Sequence, residues 1–442
     1  MPFEALTTGT FAPFDTYRPS RNIAVIGGGI SGMGAAFMLS KDCRVTLFES
    51  EPRLGGHART VMAGKRGDQP VDTGFIVFNH ANYPFMSALF DQLNVPVVKS
   101  NMSFGASIDG GRLEYALTSL DALFAQRKNA VTPAFLGMVR DILRFNKNAM
   151  AVAEDRSLSL ADFLRKLGTG TWFRDHYLLP LSGAIWSTPT EKIMDFPAYA
   201  MVQFFKNHAL LGVHGQHQWY TVNGGSTEYV SRLEAALTAA DVDIRLGAPV
   251  QSVTRGPGHA VVRAWGGEPE VFDEVIFATH SDDTLRLLGD ASAEEAKALG
   301  AIAYQPNDIV LHADTSIMPK RRKTWASWVY TEDKAAQSDR IDLTYWMNSL
   351  QPIPMDDPHF VTLNTKRTIR EELIYDAVTL RHPVYDLAAL QAQKEVQSFN
   401  GTRNTWFCGA WMKNGFHEDG LASAVDVVRA LRLVHQERVA AE

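Results

Sequence analysis

Residues 22–49 constrain the fold more tightly than any other stretch of the chain. Ile23-Ala24-Val25-Ile26 is a short apolar run that reads as a strand, Gly27-Gly28-Gly29-Ile30-Ser31-Gly32 is a turn, and Met33 to Leu39 is helix-forming. Val45-Thr46-Leu47-Phe48 is a second strand and ends in Glu49. Strand, glycine turn, helix and strand within about 30 residues make one βαβ unit, so the fold class is α/β. Gly27 suits a tight turn, Gly29 lets backbone approach a pyrophosphate, and Gly32 lets helix and strand pack closely. The helix N-terminus adds N–H donors and positive potential. Glu49, 20 residues after Gly29, stands where a carboxylate accepts hydrogen bonds from ribose hydroxyls. A glycine motif alone also occurs in ordinary loops; the ordered set of strand, turn, helix, strand and acid is what specifies a dinucleotide.

Beyond this unit the texture alternates. Residues 83–211 have helical periodicity, with Phe85, Leu89 and Leu93 on one face and Phe135, Met138, Ile142 and Phe145 on another, and read as a helical insertion. Asn223-Gly224-Gly225-Ser226 opens a helix through Leu237, and strands follow at 242–246, 249–254, 260–264 and 271–279. Residues 291–398 mix a helix with strand-like runs at 308–313, 325–330, 343–347 and 360–363. Thr405-Trp406-Phe407-Cys408-Gly409 and a helix over 421–435 then return to strand and helix. The expected architecture is α/β, α+β overall. A Rossmann-like dinucleotide-binding domain (1–80, 223–290 and 400–442) is interrupted by a helical and mixed-sheet substrate domain (81–222 and 291–399).

Composition narrows the partners. The 442 residues are 45% hydrophobic and 21% charged, which excludes disorder, collagen and coiled coil. With 43 basic against 49 acidic residues the net charge is −6, and the chain lacks the positive field of a nucleic-acid binder. Cys43 and Cys408 build neither a disulfide framework nor a zinc site, and a reducing cytoplasm fits best. No run approaches the roughly 20 apolar residues of a membrane span. The leader through Arg21, with Glu4, Asp15 and three prolines, is expected to be irregular, so any membrane contact is peripheral.

The glycine fingerprint does not separate NAD from FAD. Arg53-Leu54-Gly55-Gly56-His57, directly after Glu49, and Val71-Asp72-Thr73-Gly74 resemble the flavin amine oxidase and phytoene desaturase superfamily. Phe407-Cys408-Gly409 and Gly415-Phe416-His417-Glu418-Asp419-Gly420-Leu421 carry the same resemblance. It implies FAD, with the Gly55-Gly56 backbone on the flavin side, Arg53 neutralising phosphate and the last helix near the isoalloxazine; neither cysteine has an obvious position for covalent attachment, so the FAD is expected to be non-covalent. Read without it, Gly55-Gly56 is a flexible turn and Arg53 a solvated charge. The implied cofactor set is Gly27, Gly29, Ile30, Ser31, Gly32, Glu49, Ser50, Arg53, Gly55, Gly56, His57, Thr73, Gly74, Phe75, Ile76, Val250, Gly409, Phe416, Asp419, Gly420 and Leu421. An acid at 419 is equally explained as a helix cap. His57 and Ala410 depart from the superfamily, which usually carries arginine and an acid there.

Stretches at 72–79, Ala184-Ile185-Trp186-Ser187, 219–225, Trp325-Ala326-Ser327-Trp328, Tyr345-Trp346-Met347-Asn348 and 416–420 resemble a narrower bacterial group. These are FAD-dependent oxidoreductases encoded beside cyclopropane-fatty-acyl-phospholipid synthase-type methyltransferases, including the desaturases of methylated unsaturated fatty acids in furan fatty acid synthesis. The resemblance implies dehydrogenation of a lipid acyl chain by hydride transfer to flavin, with the electron acceptor left open. A flavin amine oxidase, an FAD-dependent fatty acid double-bond isomerase and a non-catalytic lipid or flavin carrier are the alternatives. An allylic carbon beside a methylated double bond stabilises developing positive charge, and loss of a proton then gives a diene. Such chemistry needs a long, dry, apolar pocket. Trp172, Phe173, Tyr177, Leu178, Leu179, Trp186, Phe196, Phe204 and Phe205 either line it or form the core of the insertion.

His417 is the first choice of proton acceptor, followed by Glu418, His57 and Tyr177. Lys320-Arg321-Arg322-Lys323, just before Trp325 and Trp328, suits either an anionic membrane surface or a solvated loop. His214 and His217 have the spacing of a metal pair but no third ligand, so no metal is expected.

Overall fold

Ile23 and Val25 pack into one apolar cluster and Ala24 and Ile26 into another on the opposite face, all four essentially inaccessible. A strand buried on both faces is the signature of a parallel sheet covered by other layers on each side. The computed structural model describes residues 21–186, 193–194, 196–208, 210–212, 217–332 and 340–441; the expected leader, Ser187 and His214 lie outside them.

In chain order the elements used below begin with β1 (Asn22–Ile26), α1 (Ile30–Leu39), β2 (Arg44–Phe48), α2 (Pro84–Gln92), β3 (Phe104–Ile108) and β4 (Leu113–Ala116). Next come α3 (Leu120–Leu123), α4 (Pro133–Ala153), α5 (Thr227–Ala239), β5 (Asp243–Arg245), β6 (Glu274–Phe277) and β7 (Tyr304–His312). The chain closes with β8 (Trp328–Glu332), β9 (Asp342–Trp346), β10 (Phe360–Leu363), β11 (Ile374–Pro383), β12 (Thr405–Phe407) and α6 (His417–Ala441).

The parallel sheet runs β12-β6-β1-β2-β5. Its chain path departs from β1 in both directions, and a ligand crevice opens at the carboxyl ends of strands where that happens. The glycine turn sits there: Gly27, at φ +107°, donates its N–H to the Phe48 carbonyl at 2.8 Å. A Cβ at Gly32 would fall 1.8 Å from the Gly27 oxygen, so α1 starts where only glycine fits.

The second sheet has seven strands in the order β11-β7-β10-β9-β8-β3-β4. β3 pairs parallel with β8, Phe104 opposite Trp328, and so joins the two inserted segments into one layer. The strands β3 and β4 lie in a region whose periodicity reads as helical. Phe104–Ile108 is too short to show a period, and its partner is distant in sequence. β11 also escapes a reading from hydrophobic pattern, because it lies at the sheet edge with none of its ten residues fully buried. α4 turns Phe135, Met138, Ile142 and Phe145 inward, as its spacing indicates. Among the described residues no helix is long and apolar enough to cross a membrane.

Candidate active site

A cavity of about 1830 Å³ reaches from the carboxyl ends of β1 and β2 to the helical insertion. At its first end lie Gly27, Gly28, Gly29, Ile30, Ser31, Glu49, Ser50 and Val250. Glu49 Oε2 accepts the Gly28 N–H at 2.6 Å, while Oε1 accepts the Glu51 N–H at 2.8 Å and the Ser50 hydroxyl at 3.1 Å. This locks the carboxylate at the end of β2, beside the turn. Gly29 caps α1 without a side-chain bond, the first turn holds no acid, and a Cβ at Gly29 would meet nothing within 4 Å. The first amides of the helix therefore face open space, ready for an anion. Arg53 donates to the carbonyls of Leu54 and Ala58 at 3.2 Å and of Gly56 at 2.9 Å, so its guanidinium shapes the loop at the cavity lip.

Three imidazoles stack in the middle of the wall. His57 lies 5.4 Å from His382 and 5.7 Å from His280, which in turn stacks on Tyr304 at 4.4 Å. Burial pushes His57 down to about 4 and the other two to about 3, so all three are neutral near pH 7. Backbone groups fix the tautomer of His382. Asn364 Oδ1 accepts the Asp308 N–H at 2.9 Å, so its Nδ2 donates to Asn307 Oδ1 at 2.7 Å. Asn307 Nδ2 in turn donates to His382 Nδ1 at 2.8 Å, which leaves the hydrogen of the neutral ring on Nε2. His417 opens α6 across the cavity, stacked on Phe75 at 4.2 Å, with Nε2 2.6 Å from the Tyr229 hydroxyl. Burial pushes its imidazole down to about 3.

The far end is mostly apolar, with Asn146 of α4 and His208, stacked on Phe204, as polar groups. Ile142, Leu181, Ile185, Phe204, Trp328, Val378 and Leu380 form it together with Tyr177 and Tyr345. Tyr177 lies in a π-helical turn, Arg174–Leu178, against Phe173. Among the described residues, every carboxylate and guanidinium of the wall (Glu49, Glu51, Arg53, Arg59, Asp283 and Arg286) comes from the βαβ unit and its extension or from the helix after β6. None comes from the inserted segments.

A profile of flavin containing amine oxidoreductases matches residues 30–359, well over half of the chain. The chain belongs to that family. A curated coproporphyrinogen III oxidase of Mycobacterium leprae is 44% identical over 63 residues, which are 13% of this chain and 13% of that relative. The solved cyclohexylamine oxidase of Brevibacterium oxydans IH-35A aligns over 95% of this chain and 100% of its own, with 13% identity and a TM-score of 0.69. A fatty acid isomerase of P. acnes that produces CLA aligns over 94% and 99%, with 14% identity and a TM-score of 0.64. At those identities the likeness is one of fold.

This flavin amine oxidoreductase is an FAD-dependent oxidoreductase. Its wall would hold FAD through the uncapped helix amides at a diphosphate and the buried Glu49 carboxylate at a ribose, and the cavity continues past both toward α6.

Of the residues singled out from sequence, Gly27, Gly29, Ile30, Ser31, Glu49, Ser50, Arg53, Gly55, Gly56, His57, Gly74, Phe75, Ile76, Val250, Gly409, Phe416, His417 and Tyr177 line the cavity. The rest stand behind the wall. Gly32 touches the Gly27 carbonyl and Gly420 crosses α1 at Ile30 and Ser31. Leu421 packs in the core, and the Thr73 hydroxyl accepts from Arg59 at 3.2 Å. Asp419 caps the Phe416 N–H at 2.9 Å, so capping is the role the geometry displays. Of the expected lining aromatics, Tyr177 and Phe204 face the cavity, whereas Phe173, Leu178 and Phe205 are buried core with Trp172, Leu179 and Phe196 packed against it. The side chain of Trp186 lies outside the described residues.

Glu418 is corrected from catalyst to cap. Its two oxygens accept the N–H groups of Phe85 and Met86, each at 2.9 Å, in the first turn of α2. Glu418→Ala leaves both amides without their acceptor and is expected to lower stability by about 2–4 kcal/mol. Urea unfolding measures that loss. Flavin reduction in the folded protein should be unchanged, and a slowed reduction at normal stability would restore Glu418 to the chemistry.

The basic run at 320–323 is likewise engaged at home. Lys320 donates to the Gly110 carbonyl, Arg321 pairs with buried Glu114, Arg322 lies over Trp325 and Trp346, and Lys323 pairs with Asp121. His280 and His382 were not singled out from sequence. His280 had a signal, since it follows a strand of the parallel sheet at its carboxyl end; His382 sits in an edge strand with no motif.

Proposed function

We propose that the protein dehydrogenates a lipid acyl chain, a methylated unsaturated fatty acyl group of a phospholipid, to a conjugated diene. The observation that carries this is the far end of the cavity, mostly apolar, with no carboxylate or guanidinium among its described residues. An amine substrate, protonated near pH 7, finds no anion there to offset its desolvation. An acyl chain needs none. Bound FAD supplies the acceptor for a hydride. The chain's own part is to hold the allylic carbon in a dry site and to take the proton that leaves, for which His417 is the candidate because its ring stands on the cavity wall, held by Phe75 and Tyr229. Burial makes that imidazole a weaker base than a free one, so its part in the step rests on position.

Anaerobic stopped-flow absorbance at the oxidised flavin band tests the reading. Phospholipid carrying a methylated monounsaturated chain should bleach the holoenzyme and yield diene absorbance, while a panel of amines should not. His417→Ala should keep its FAD and slow the bleaching at least about 100-fold. Bleaching by amines alone would make the protein an amine oxidase, and diene without net bleaching would make it an isomerase.

A further inference from the structure

The cavity reaches the surface between α3 and α4. Leu117, Leu120 and Leu143 belong to its wall and are also 40%, 76% and 55% exposed. Val131 and Leu136, 79% and 42% exposed, extend the same segment. Scattered exposed apolar side chains are ordinary, but these five lie within 27 residues, and three of them belong to the cavity wall. The outer face of α4 carries Leu136, Arg140, Leu143 and Lys147 at helical spacing, all exposed, while its inner face is in the core.

Charge selects the occupant. Residues 117–147 hold five basic side chains against two acids, in a chain whose net charge is −6. Of the acids, Asp141 is buried and lies 3.6 Å from both Arg140 and Arg144, and Asp121 is paired with Arg127 and Lys323. Lys128 and Lys147 are exposed, with no ion-pair partner among the described residues. Exposed leucines flanked by these two lysines fit the headgroup boundary of an anionic bilayer.

We propose that this rim is a membrane-docking collar, seating the cavity mouth on an anionic lipid surface so that an acyl chain enters without crossing water. The purpose rests on the acyl-chain reading above; the docking is tested apart from it. FAD-loaded protein is floated with vesicles of phosphatidylcholine alone and with vesicles containing phosphatidylglycerol, neither carrying a methylated chain. Wild type should float with the anionic vesicles and release at high salt. Val131→Glu with Leu136→Glu, and separately Lys128→Glu with Lys147→Glu, should each weaken flotation about tenfold or more, with an unchanged flavin spectrum as the control for folding.

Wild type that stays in solution with anionic vesicles overturns the collar, whatever the stopped-flow assay shows. Equal flotation by the variants overturns the assignment of the surface. Self-association lost in the same variants, without flotation, would make the face an interface between copies and also overturns the proposal. Flotation without lipid-driven flavin reduction leaves the collar standing and sinks the acyl-chain reading instead.

Discussion

Gly32→Ala should purify colourless. The added Cβ would stand 1.8 Å from the Gly27 oxygen and 3.0 Å from its carbonyl carbon, and both are backbone atoms of the turn. Relief requires the first turn of α1 to back away from the end of β1, and that turn carries the amides that face the diphosphate position. Overpacking against a rigid partner costs about 3 kcal/mol or more, which is over a hundredfold in binding. The ratio of flavin to protein absorbance after purification, followed by FAD titration of the apoprotein, measures it. Gly29→Ala is the companion variant. A Cβ there meets no protein atom within 4 Å, so the apoprotein should melt normally while FAD binds more weakly. Equal FAD affinity in both variants would separate the glycine turn from the cofactor.

Asp72→Ala should be the most destabilising single change in the 71–74 motif, by about 3–5 kcal/mol. Asp72 is buried, and its Oδ1 accepts the hydroxyls of Thr60 at 2.6 Å and Ser226 at 2.8 Å and the Ser226 N–H at 2.8 Å. Oδ2 accepts Gln351 Nε2 at 2.8 Å, and the Asp72 N–H returns a bond to the same side chain at 2.9 Å. One carboxylate thus ties three segments that are far apart in sequence. Asp72→Asn keeps the Oδ1 bonds but sets an amide N–H against the Gln351 amide, so a smaller loss is expected. Burial pushes the Asp72 carboxyl up to about 6. A raised acid supports the fold most when protonated and loses that support as pH climbs through 6, so the gap between wild type and Asp72→Ala should be wider near about pH 5 than near about pH 8. Chemical denaturation at the two values reads it; a gap that widens with pH would contradict the burial.

Residues 22–49 were readable because every level agrees there: strand pattern, glycine chemistry, helix and terminal acid all occur within one local unit. The resemblance around 53–57 and 415–421 added residues that do meet at one cavity, such as Gly56, Phe416 and His417. It could not say which face the wall and which stand behind it. Glu418 and His417 are neighbours on one helix turn, yet one reaches α2 and the other the cavity, a distinction made by tertiary packing alone. Asp72 shows the same limit, since a motif acid was legible while its partners at 226 and 351 were not. The stack of His57, His280 and His382 draws on three remote segments, and no spacing rule connects them.

The pairing of β3 with β8 has a consequence for synthesis. Phe104 emerges from the ribosome more than two hundred residues before Trp328, its partner in the register. Until the later segment arrives, the nascent chain holds an apolar strand with an open edge, the kind of surface that invites aggregation. Long-range parallel pairing is also slow to form, because loop closure precedes its reward. Expression in a heterologous host should therefore be limited by chaperone supply, and no fragment ending before Trp328 will close the seven-stranded sheet.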